Sequence, residues 1–111
     1  MPFYMIQVAY TDAAAKAMVA DPQPRENVTR KATESLGGTL HSFFFSFGEY
    51  DAVAIVELPD NEAAAALALT GDGGGALTKF TTTVLMTSAQ AVTAMERAKK
   101  AVYSPPKQPA A

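Results

Sequence analysis

A single histidine, His41, is the only side chain in the sequence whose ordinary pKa lies close to neutrality, and it stands inside a phenylalanine-rich run. An imidazole there can take up and return a proton once a substrate and an orienting partner stand beside it, which makes His41 the candidate catalytic base. The plainer reading is a hydrogen-bonded histidine at the start of a strand. Tyr50 and Asp51 come next, after Gly48-Glu49. Neighbours in a strand point to opposite faces, so these two form no dyad. Asp51 is expected to accept backbone hydrogen bonds, and Tyr50 to pack with its hydroxyl satisfied. Glu57 shares the Asp51 face, but about 20 Å away along an extended strand, too far for the two carboxyls to couple. Residues 71–75 are rich in glycine, yet they follow a helix, precede a strand and lack the lysine-serine/threonine ending of a phosphate loop, so they read as a connector or a ligand lid. A pocket at a sheet surface needs a few polar groups in an apolar setting, which Tyr4, Gln7, Tyr10, Lys79 and Thr81 can supply. The candidate ligand-binding set is His41, Phe43, Phe45, Tyr50, Tyr4 and Gln7.

Composition removes several chemistries. The 111 residues contain no cysteine and one histidine, which excludes disulfides, thiol nucleophiles and multi-histidine metal centres. A carboxylate-only metal site has nothing in its favour, and neither a metal nor a cofactor is expected. The formal net charge of -2 offers no basic field for a phosphate backbone, so no nucleic-acid partner is expected. No run approaches the length of a membrane span and the amino terminus enters a strand-like segment directly, so no membrane partner is expected and the cytoplasm is the default location.

The elements that must position these residues follow from pattern and punctuation. At 49% hydrophobic and 18% charged residues the chain has the apolar content of one packed domain. Phe3 to Tyr10 reads as a strand, and Thr11-Asp12 caps a helix running to Ala20. Asp21-Pro22-Gln23-Pro24 breaks that helix, and Asp21-Pro22 reads as the cap and first turn of a second helix over residues 22–36, stopped by Gly37-Gly38. Residues 39–47 hold four of the six phenylalanines and pair with residues 50–58 across a two-residue turn as a β-hairpin. Asp60-Asn61 caps a helix to residue 69, residues 77–86 form a strand, and residues 88–103 form a last helix with the apolar stripe Ala91, Met95, Ala98 and Val102. This βαββαβ order with an added carboxyl-terminal helix predicts an α+β, ferredoxin-like domain over residues 1–103 with a four-stranded antiparallel sheet. Residues 104–111, with three prolines, are expected to form a flexible tail.

Setting Phe47 opposite Tyr50 puts His41, Phe43, Phe45 and Phe47 on one face with Tyr50, Ala52, Ala54 and Val56. Leu40, Ser42, Phe44 and Ser46 then share the other face with Asp51, Val53, Ile55 and Glu57. Both faces carry large apolar groups, as in a sheet covered on both sides. The cover for the second face is the carboxyl-terminal helix, a second copy of the chain, or both, and a second copy is favoured. Each phenylalanine buried there contributes on the order of 1.5 to 3 kcal/mol before association entropy. A homodimer or higher homo-oligomer through the sheet face is therefore expected.

The segment Gly48-Glu49-Tyr50-Asp51, continuing through Asp60, resembles the Gly-x-Tyr-Asp signature of the GYD-domain family. The likeness extends to Tyr10-Thr11-Asp12, Leu36-Gly37-Gly38 and the alanine-rich helix after Asp60. It implies the dimeric α/β-barrel arrangement, in which two ferredoxin-like sheets pack face to face. A more distant resemblance is to the effector-binding domains of Lrp/AsnC regulators. Two functions compete: a small-molecule-binding or oligomeric accessory domain, or a cofactor-free monooxygenase or isomerase of the dimeric α/β-barrel type, with His41 as general base on an aromatic or lactone substrate.

Overall fold

Alternation along Phe3–Tyr10 sends Tyr4 and Ile6 into the core and Phe3, Met5 and Gln7 to the other side. This strand, β1, lies inside the sheet in the computed structural model, which describes residues 1–107. Its partners are β3 (Ala52–Glu57) and β4 (Leu77–Leu85), and β2 (Thr39–Phe45) completes the order β2-β3-β1-β4, every neighbouring pair antiparallel. Helices α1 (Asp12–Ala20), α2 (Glu26–Ser35), α3 (Asn61–Gly73) and α4 (Ser88–Lys100) complete the described chain. The architecture is the expected α+β, ferredoxin-like one with an added carboxyl-terminal helix.

Local chemistry explains most boundaries. The Thr11 hydroxyl accepts from the Ala14 amide at the start of α1, and the Asp60 carboxylate accepts from the Ala63 amide at the start of α3. At the end of α2, Gly37 takes φ +82°, and the Gly37 and Gly38 amides donate to the Glu34 and Thr33 carbonyls. The expected beginning of α2 at residue 22 is corrected: it begins at Glu26, with Arg25 at the cap position and no side-chain cap bond. Pro24 is the reason, because it disfavours helical geometry at Gln23 and cancels the start signal of Asp21-Pro22.

The hairpin is also corrected in two places. Strand β2 ends at Phe45 rather than Phe47, and the connection is wider than two residues, closed by Ser46, whose amide donates to the Asp51 carbonyl and whose hydroxyl donates to the Tyr50 carbonyl. The register Phe45↔Ala52 and Phe43↔Ala54 is the one implied by facing Phe47 with Tyr50, but it slips between Leu40 and Ser42, where Leu40 pairs with Val56. That bulge at His41 turns Leu40 into the core, where it is buried, and leaves His41 on the opposite face.

The core gathers Tyr4, Ile6, Leu40, Ala54, Val56, Leu58, Ala64 and Leu67 between one face of the sheet and α2 and α3. Packing is solid at the Val56 end, where Val56, Leu58 and Thr33 are fully buried. A side chain on Gly38 would collide with the Glu57 carbonyl and with Leu58. Helices α1 and α4 contain no buried residue, so neither covers the second face of the sheet. Phe3, Met5, Gln7, Val53 and Ile55 lie there half-buried, shielded by one another. Helix α4 adjoins the body only at the end of β4, where Leu85 and Met86 border a groove with Gln90 and Thr93, and the molecule extends over 62 × 38 × 22 Å. Residues 104–107 are exposed without regular structure, and the remainder of the expected flexible tail lies outside the described residues.

Candidate functional site

The residues facing α2 and α3 shorten from one end of the sheet to the other. Strand β3 presents Val56, then Ala54, then Ala52 to the helices, and α3 presents Leu67 and then Gly71. Small side chains opposite one another leave unfilled volume, and here they leave a cleft of about 350 Å³. Its roof is the sheet, through Ile6, Val8 and Phe80, and its far wall is Phe43. Helix α2 closes one side with Val28, Thr29 and Ala32, and the glycine-rich end of α3 approaches Phe80 so closely that a Cβ on Gly71 would stand 2.8 Å from the ring.

Thr29 and Thr70 in the lining give their hydroxyls to the Arg25 and Ala66 carbonyls, which leaves two polar groups for this mostly apolar space, at the start of α2 and the end of β1. Arg25 is drawn to the cleft by its place at the amino-terminal cap of α2, and it makes no ion pair among the described residues. Tyr10 lies beside it. Burial raises the Tyr10 phenol above its ordinary pKa, the nearby Arg25 guanidinium opposes that rise, and the Asp51 carboxylate adds to it. Tyr10 is therefore a neutral hydrogen-bond donor across the physiological range, next to a permanent cation. A cleft of this chemistry has room for an apolar body, with a donor and a cation at one end. Among the described residues no group of three or more His, Asp and Glu converges as metal ligands.

The GYD-domain model matches residues 4–95 of the chain. The chain belongs to the GYD-domain family. No curated protein matches it. Among solved structures the GYD domain is similar to MtbAldR, with a TM-score of 0.59 and 18% identity over 78% of this chain, a likeness of fold. It spans about half of that protein, covering 53% of its chain. It is also similar to FFRP-DM1, at a TM-score of 0.45 and 13% identity, over 78% of this chain and 100% of that one.

Within the GYD domain the name-giving segment is structural in its geometry. The Asp51 carboxylate accepts from the Tyr10 amide at 2.9 Å, and the Asp51 amide donates to the Val8 carbonyl at 2.8 Å, so Asp51 ties the hairpin to the end of β1. Tyr50 stands just before β3 and shares a hydrogen bond of 3.1 Å with the Thr81 hydroxyl, while the Lys79 ammonium lies 5.7 Å from its ring centre and 3.6 Å from Glu49.

The six residues expected to share a pocket are divided between the two faces, which corrects their expected common placement. Phe43 lines the cleft. Phe45 is 52% exposed, its ring 5.6 Å from Phe43 and 6.4 Å from Tyr10. Tyr4 is buried in the core with its hydroxyl on Asn61. His41, Gln7 and Tyr50 belong to the open face: His41 Nε2 is 2.9 Å from Glu57 Oε1 and its ring is 5.4 Å from Phe3, while Gln7 and Thr81 are register partners. The cleft residues that the sequence reading passed over include Arg25, Val28, Thr29 and Phe80. The signal was present in Ala52 and Ala54, two short side chains in strand positions that face a phenylalanine across the hairpin.

Proposed function

We propose that this domain binds a small, largely apolar molecule with an acidic head group in the cleft between the sheet and helices α2 and α3, and that it works in the cytoplasm as a self-associated oligomer. The observation that carries the reading is the guanidinium of Arg25, in no ion pair among the described residues, beside the neutral phenol of Tyr10 in a mostly apolar space. The volume falls in the range of small-molecule sites, about 300 to 1,000 Å³. A carboxylate oxygen accepts from both groups, while its hydrocarbon or aromatic portion displaces water from among Ile6, Phe43, Leu67 and Phe80. Self-association is supported separately by the apolar face that no helix covers among the described residues.

A thermal-unfolding screen tests the ligand reading, with aliphatic and aromatic acids of increasing size beside their methyl esters. Stabilisation by acids but not esters, weakened about tenfold or more in affinity by Arg25→Gln, is the expected result. If esters stabilise equally, or the substitution leaves acid binding untouched, the head-group assignment fails.

A second reading, the cofactor-free enzyme, is favoured by one observation: the hydrogen bond between His41 and Glu57, which orients an imidazole on the open face. In that reading His41 works at the surface shared with a second copy, away from the cleft. Turnover of a found substrate that survives His41→Ala would eliminate it.

A further inference from the structure

Helix α4 is buried against no other element among the described residues. It is well made at both ends, with a Thr87–Gln90 capping box at the start and Arg97, Lys99 and Lys100 in the last turn. Yet none of its 13 residues is buried, and an isolated helix of that length is only marginal in water. Ala91, Met95 and Ala98 fall on one side with Val92 at its margin, and Val92 and Met95 are 54% and 63% exposed. The sheet shows the matching deficit, since Phe3, Met5, Val53 and Ile55 lie on a face that no helix covers.

We propose that α4 is an exchanged arm: it docks its Ala91–Met95–Ala98 side across the open sheet face of a second copy and receives that copy's arm in return. The inference rests on the self-association reading above and replaces the direct packing of sheet on sheet with an arm laid on each sheet. Area supports it. The chain exposes 7831 Å², against about 5,900 Å² for a compact monomer of this mass, and its radius of gyration of 18.5 Å compares with about 13 Å. Part of that excess belongs to the extended residues after α4. The rest is surface of the kind that a standard stable interface, at roughly 800 Å² per partner, removes from water.

Charge supports it as well. Residues 1–87 carry five Lys and Arg against ten Asp and Glu, a net of -5, whereas residues 88–111 carry four against one, a net of +3. A basic arm is thus attracted to the acidic body of a second copy. Length agrees, because the helix is about 20 Å long, enough to cross four strands spaced about 4.8 Å apart. Reciprocal exchange about a two-fold axis satisfies both surfaces of both copies and closes the assembly.

The absence of cysteine makes a direct test clean. Full-length Met95→Cys and Met5→Cys chains are mixed and oxidised, beside a control mixture of Met95→Cys with Thr70→Cys, whose cysteine is on α3. A disulfide-linked heterodimer from the first mixture and little from the control is expected, and equal yields from both would overturn the exchange. A second measurement compares the self-association of the parent with full-length Met95→Glu by light scattering, with circular dichroism and thermal unfolding to verify folding. The expected result is a dissociation constant raised about tenfold or more. An unchanged constant in a folded, dimeric Met95→Glu chain removes the arm and leaves sheet-face association standing. A parent chain that stays monomeric at the highest attainable concentration removes both.

Discussion

The Tyr4 hydroxyl donates to Asn61 Oδ1 at 2.6 Å, joining the first strand to the first turn of α3 across 57 positions of sequence. Tyr4 is also one of the largest fully buried side chains, so the bond anchors the helix that forms one wall of the cleft. Tyr4→Phe keeps the ring and removes the bond, and is expected to cost about 1 to 2 kcal/mol in urea unfolding.

The same tyrosine, with Tyr10, sets the response to alkali. Burial raises both phenols above their ordinary pKa, with the carboxylates of Asp60 and Glu62 adding to the effect at Tyr4. A raised folded-state pKa means that the contribution is complete below about 10, the unfolded value, and is lost as pH rises through the folded values. Urea midpoints should therefore fall above about pH 10, and Tyr4→Phe should make that fall shallower. A mutant slope equal to that of the parent would refute the assignment to Tyr4.

Asp51 should matter for stability whether or not a ligand is present. Asp51→Ala leaves the Tyr10 amide without its acceptor, at an expected cost of about 1 to 3 kcal/mol, while Asp51→Asn retains an acceptor oxygen and should cost less. Equal losses in the two variants would show that the hydrogen bond is not what holds the hairpin to β1.

Two glycines make a contrasting pair. A methyl group on Gly38 meets the Glu57 carbonyl and Leu58, so Gly38→Ala should destabilise by more than about 3 kcal/mol or prevent folding. Gly48, the first residue of the Gly-x-Tyr-Asp segment, has open space around it and no left-handed backbone, so Gly48→Ala should unfold within about 1 kcal/mol of the parent.

Filling the cleft offers an independent check on the proposed ligand site. Ala32→Leu adds side-chain volume from α2 into the space that Phe43 and Leu67 border. It should leave thermal stability equal or slightly raised while abolishing stabilisation by apolar acids. Acid binding that survives the substitution would place the ligand elsewhere.

The sequence carried the element order, the sheet and the register from Phe43 to Phe45, because β-branched runs, caps and glycine stops all agreed. It did not carry the division of the site between two faces. A bulge adds one residue without a marker of its own, and at His41 that residue reversed the face of everything before it in the strand. Tyr50 went astray for a related reason: it lies outside β3, which begins at Ala52, so strand alternation does not govern its direction. The cleft was hidden because hollow space arises from what small residues fail to fill across three elements, and periodicity within any one of them does not report it.

Helix α2 is held very differently at its two ends. Beside Thr33 the chain turns through Gly37 and Gly38 against β3 with no room to spare, whereas the Arg25 end follows two prolines and has no side-chain cap. A rod pinned at one end gives way at the other, so in the proposed ligand site the Arg25 end is where guests of differing bulk would be accommodated. Under the proposed ligand reading, selection would then fall on what Arg25 and Tyr10 can grip, tolerant of a guest's girth and demanding about its charge.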